Sequence, residues 1–97
     1  MNFTNISQDN PILNGFYKQG ELSASYDEIV SVFGQPYVIP DEDQDKSQVE
    51  WVIKWEDGTV STIYDWAWGE TEVNDIPTWS IGGLQYHSAL YVHELMY

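Results

Sequence analysis

The chain has 97 residues, no cysteine, three lysines, no arginine and sixteen acidic residues, for a formal net charge of -13. This length suits one domain with a single modest core, and the missing cysteines exclude disulfides and thiolate metal centres. The charge argues against direct contact with nucleic acid or anionic membranes, which depends on clustered Lys and Arg.

A content of 42% hydrophobic and 15% aromatic residues predicts a packed domain rather than a disordered acidic chain. No apolar run approaches the roughly 18 residues of a membrane span, and no basic-plus-apolar signal opens the chain. The expectation is a soluble intracellular protein.

In chain order, residues 1–10 are polar apart from Phe3 and Ile6 and read as a loosely docked arm of a domain spanning 1–97. In residues 11–22, Asn14-Gly15 between Ile12-Leu13 and Phe16-Tyr17 predicts a short hairpin or an edge strand. Ser25-Tyr26-Asp27-Glu28 is a capping box, with Ser25 as N-cap and Glu28 at the third helical position. Tyr26, Ile29, Val30 and Phe33 then share the i, i+3, i+4, i+7 stripe of a buried helix face, which Gly34 and Pro36 terminate. Residues 37–39 extend towards Pro40.

Asp41-Glu42-Asp43-Gln44-Asp45-Lys46 is the one dense acidic run. Its alternate aspartates are similar to the opening of a calcium loop. Lys46, however, stands where glycine makes the sharp turn, and Val52 stands where a bidentate Glu closes the loop. The run therefore reads as a solvated loop or a charged contact for a partner, and no metal or cofactor is predicted.

Residues 48–66 form the organising stretch. Val49, Trp51, Ile53 and Trp55 alternate with polar residues apart from Val52, the pattern repeats in 59–66, and Asp57-Gly58 between the runs predicts a two-residue hairpin turn. In that register Trp55 faces Val60, Ile53 faces Thr62, Trp51 faces Tyr64 and Val49 faces Trp66, all on the core side. Glu50 then lies directly across from Asp65, where two carboxylates repel. A bound cation, a raised pKa or a basic partner would relieve the pair, as would both side chains splaying into water.

Residues 67–77 connect this hairpin to the next strand and carry Trp68, Gly69, Glu70, Glu72 and Asp75, with Trp68 the tryptophan expected to be exposed. Residues 78–82 alternate as a third central strand. From 84 to 96 a helix is predicted, with Leu84, Tyr91, Val92 and Leu95 on its buried stripe beside Ser88, and Ala89 and Met96 widening it. The predicted fold is α+β, with a mainly antiparallel sheet of three to five strands packed against two helices.

The sequence offers little catalytic chemistry. His87 and His93 are six apart and do not share a face as an i, i+4 metal pair would. Gly82-Gly83 lacks the following Lys of a phosphate loop, and no Ser-His-Asp or Cys-His arrangement is suggested. Glu50 with Asp65 is the one carboxylate pair conceivable for hydrolysis, with or without a metal. Trp66 and Trp68 are the tryptophans best placed to leave the core, either as a stacking pocket for a base or as interface anchors.

The helix Ser25 to Pro36, with its Ser-Tyr-Asp start and Phe-Gly-x-Pro end, the Trp-rich hairpin and the strand Trp79-Ser80-Ile81-Gly82-Gly83 resemble a group of small phage-borne proteins. By analogy with small acidic phage proteins, the resemblance implies an inhibitor of a host defence system, acting in the cytoplasm of the infected bacterium. The expectation is a non-enzymatic, anti-CRISPR-like inhibitor, monomer or homodimer. Its carboxylates would stand in for phosphates on the basic nucleic-acid-binding surface of a host protein. Asp41, Glu42, Asp43, Asp45, Glu56, Asp57, Glu70 and Glu72, with Trp68, are the expected partner-binding residues. Two other classes stay open: a sponge holding a nucleotide immune signal in an aromatic pocket, and a hydrolase using Glu50 and Asp65.

Overall fold

The computed structural model describes residues 2–9, 17–40, 47–66 and 71–97. Six strands, β1 (Phe3–Asn5), β2 (Tyr17–Ser23), β3 (Tyr37–Val38), β4 (Val49–Trp55), β5 (Val60–Tyr64) and β6 (Thr78–Gly83), form one antiparallel sheet. Its order is β1-β4-β5-β6-β2, with β3 also paired to β4. Two helices, α1 (Tyr26–Phe33) and α2 (His87–Met96), complete the α+β fold. The sheet thus has one strand more than the upper expectation. The segment expected to dock loosely supplies the extra pairing as β1, with Phe3 packed on Phe33 and Trp55.

The central hairpin differs from the expected register by one residue. Lys54 faces Val60, Ile53 faces Ser61, Val52 faces Thr62, Trp51 faces Ile63 and Glu50 faces Tyr64. The cause is the turn. Trp55 N–H donates to Thr59 O at 2.8 Å and Gly58 N–H to Trp55 O at 2.9 Å, which makes a three-residue loop with Gly58 at φ +89° rather than a two-residue turn. Since side chains alternate with period two, a slip of one residue exchanges the two faces of β5. Ser61, Ile63 and Asp65 therefore lie on the core side, while Tyr64 and Trp66 sit on the other, edge-on to each other at 6.5 Å. Trp66, expected in the core, is 49% exposed.

The core side stacks Trp51, Trp55 and Trp79 with Ile53, Ile63, Ile81 and Leu22 under the helices. Each of these indole N–H groups finds an acceptor: Trp51 at Gly34 O, Trp55 at Ser61 Oγ, and Trp79 at Ala24 O. Three large aromatic side chains are thereby buried without an unsatisfied donor, which otherwise costs about 1–3 kcal/mol each. Both halves of the capping box form, Glu28 N–H to Ser25 Oγ and Ser25 N–H to Glu28 Oε1, and Ile29 and Phe33 are the buried residues of α1. Asn5 ties the end of this helix to the sheet edge: its Nδ2 donates to Phe33 O and Gln35 O, and its Oδ1 accepts from Ser7.

α2 meets the sheet through its small residues. Ser88, Ala89 and Val92 are buried, whereas Leu84 and Leu95, expected on the buried stripe, are exposed. A Cβ on Gly83 would collide with the Ser88 side chain, and one on Gly20 would sit 3.0 Å from Ala89 Cβ. The approach is thus too close for large side chains, which turn outward. The same helix covers the outer edge of β2, where Ser23 N–H donates to Tyr97 Oη and His93 Nε2 bonds Glu21 O. Two backbone groups of that edge are in this way withheld from another strand. No helix is long and apolar enough to cross a membrane among the described residues.

Candidate interaction surface

At the tip of the β4–β5 hairpin an exposed carboxylate is fixed by hydrogen bonds from two elements. Asp57 Oδ1 accepts from Thr59 N–H at 2.9 Å, which shapes the turn, and Asp57 Oδ2 accepts from Tyr91 O–H of α2 at 2.7 Å. These hydrogen bonds stabilise the ionised carboxylate, that from Tyr91 most, and hold the Asp57 pKa below its ordinary value. The same bond to Asp57 raises the Tyr91 hydroxyl. Beside it, Thr59 Oγ1 and His87 Nε2 lie 3.1 Å apart. Further in, Ser61 O–H donates to Ser88 O and Ser88 O–H to Val60 O.

Between the turn and the start of α2 runs an open groove of about 310 Å³, lined by Asp57, Gly58, Thr59, Val60, Leu84, Gln85 and Ser88. Its walls are a carboxylate, two aliphatic side chains, an amide and hydroxyls. This composition suits contact with a protein side chain. Ser88 and Ala89 were expected on the buried side of α2; what the sequence reading missed is that their small size, set against Gly83 and Gly20, draws the helix close and so brings Tyr91 and His87 to the turn.

Of the expected partner-binding residues, Glu56, Asp57 and Glu72 are exposed. Glu56 Oε1 accepts from Asn2 N–H at 3.1 Å. Asp41, Glu42, Asp43, Asp45, Trp68 and Glu70 lie outside the described residues, as does Asn14-Gly15.

Glu50 and Asp65 are not paired across the hairpin as expected, because the register shift puts them on opposite faces of the sheet. Asp65 is fully buried, with Oδ1 accepting from Gln48 and Val49 N–H groups at 2.8 and 3.1 Å, and it closes the base of the hairpin. Glu50 sits on the other face, in a cross-strand row with Tyr37, Tyr64, Ser80 and Glu21. Among the described residues its Oε1 is buried without a hydrogen-bond partner, and burial pushes its pKa up to about 7. Burial also raises the Tyr64 hydroxyl, with Lys18 opposing and Glu50 adding to the shift.

Among the described residues no group of three His, Asp or Glu side chains is placed to hold a metal ion. His93 stacks on Tyr97 at 5.1 Å, away from the contact that His87 makes with Thr59. Comparison with protein-family models, curated proteins and solved structures found no match.

Proposed function

We propose that the protein is a non-enzymatic acidic binding protein that occupies the basic, nucleic-acid-binding surface of another protein. The role matches that of a phage-encoded inhibitor acting, in the infected bacterium, on a host defence effector such as a CRISPR nuclease. The observation that carries this reading is the uncompensated charge. Carboxylates at Asp27 and Glu28, Glu56 and Asp57, Glu72 and Asp75, and Glu94 are exposed, and Lys18–Glu21 at 2.7 Å is the one ion pair among the described residues. With a net charge of -13, such a surface repels polyanions, attracts cationic ones and speeds encounter with them. The motif resemblance adds the phage setting.

The hydrolase alternative is weakened by geometry, since its two carboxylates point to opposite sides of a sheet. The test is capture of partners on the tagged protein from lysate of bacteria carrying defence systems, at low and high salt, with duplex DNA as a competing eluant. Expected is a basic nucleic-acid-binding protein retained at low salt and released by salt or by DNA. Retention of a nucleotide with no protein, or of a partner indifferent to both eluants, contradicts the proposal.

A further inference from the structure

Apart from Val38 and Trp66, the large exposed aromatic and aliphatic side chains among the described residues belong to α2, to the residues flanking it and to the start of β2. Tyr86, Leu90, Glu94 and Tyr97 recur at i, i+4, i+8 and i+11 and so share the outward face of α2. Tyr86 is 77% exposed, Leu90 47% and Tyr97 69%. Tyr17, 71% exposed, is held by the β2–β6 register opposite Gly83, one residue before the 65% exposed Leu84 that lines the groove. Tyrosine is among the residues that most often anchor interfaces, and it loses little conformational freedom on contact.

The charge around this patch has one sign. Glu94 lies within the stripe, and Asp57 is bound to Tyr91, one residue beyond Leu90. No Lys or Arg occurs in α2, and nearby Lys18 is engaged by Glu21. A second copy meeting the face symmetrically would bring Glu94 towards Glu94 with net charge -13 on each side. An apolar surface whose charged groups are carboxylates selects a partner whose apolar surface carries Lys or Arg.

We infer that the outward face of α2, with Tyr17, Leu84 and the groove at the hairpin turn, is where a basic protein docks. An apolar side chain of the partner fills the groove while its Lys or Arg residues meet Asp57 and Glu94. This inference rests on the acidic-binder reading and assigns it a face other than the acidic run 41–46.

The test uses the full chain and two fluorescent peptides of equal charge, an amphipathic Leu-Lys helix former and an oligolysine, with backbone amide shifts followed by NMR. The Leu-Lys peptide is expected to bind at least ten-fold more tightly than oligolysine, with shifts concentrated at residues 57–60 and 84–97. Tyr86→Ser and Leu90→Ser, both at exposed positions, are expected to weaken it about ten-fold, while Asp9→Asn, at the opposite sheet edge, changes it less than two-fold. Equal affinity for both peptides, or binding indifferent to the α2 variants, overturns the assignment of this face and leaves the acidic-binder reading standing. Failure of both peptides to bind at low salt overturns that reading as well. A concentration-dependent dimer abolished by Leu90→Ser overturns the proposal by giving the face to a second copy.

Discussion

Trp55 and Ser61 hold the hairpin together from inside: the indole N–H donates to Ser61 Oγ at 2.8 Å, and the same hydroxyl donates to Ser88 O at 2.7 Å. One small, buried polar side chain therefore joins β4, β5 and α2. Ser61→Ala leaves the buried Trp55 indole N–H without its acceptor and removes a hydrogen bond from Ser88 O, so a loss of about 1–3 kcal/mol is expected. Urea unfolding followed by tryptophan fluorescence checks this, and an unchanged midpoint would show that the network carries no weight.

The approach of α2 to the sheet at Gly83 gives a second prediction. Gly83→Ala places a methyl group against Ser88, and overpacking of this kind costs about 1–3 kcal/mol. Ser88→Gly is expected to restore part of the loss in the double variant while costing stability alone. Additive losses in the double-mutant cycle would place the strain elsewhere.

Glu50 gives the pH dependence. Its carboxyl titrates at 4.5 when unperturbed and is raised to about 7 in the folded protein by burial. Between these values the folded state keeps a proton that the unfolded state has released. The contribution of Glu50 is thus fully present at acid pH and is lost as pH rises towards 7. After allowance for partial exposure the loss is about 2 kcal/mol. Glu50→Gln should flatten this limb and make the protein more stable than the parent at pH 8. A parent whose stability rises between pH 5 and 7, with no difference in the variant, would contradict the assignment.

The contact between Tyr91 and Asp57 is testable without reference to stability. Removing the donor in Tyr91→Phe should let the Asp57 pKa rise towards the ordinary carboxylate range. Titration of the side-chain carboxyl by carbon-detected NMR reads this directly, and an unmoved titration curve would exclude the bond.

The helix α1 was legible to the residue because its capping box and apolar stripe are local signals. The α+β class and the central hairpin were equally readable from the alternation in 49–55. The register was not, since Val60, Thr62, Tyr64 and Trp66 make a more apolar face than Ser61, Ile63 and Asp65. The choice is decided by the three-residue turn and by the hydrogen bonds that Ser61 and Asp65 make inside. For α2, Leu84 and Leu95 were misplaced for a related reason, while Ser88, Ala89 and Val92 are buried as expected. Its buried face is built from Ser88 and Ala89, whose value lies in being small against Gly83 and Gly20. Pattern reading weights large apolar side chains, and here those point outward, so the groove and the exposed tyrosine face were hidden from it.

The most direct test of the central claim is competition between this protein and labelled duplex DNA for the basic effector recovered by capture. The account predicts stoichiometric displacement of the DNA by the parent protein. It also predicts clearly weaker displacement by a folded Glu56→Lys, Glu72→Lys variant, and a loss of parent affinity as salt is raised. A complex in which the effector holds both the protein and its DNA, with the charge-reversed variant binding as well as the parent, would contradict it.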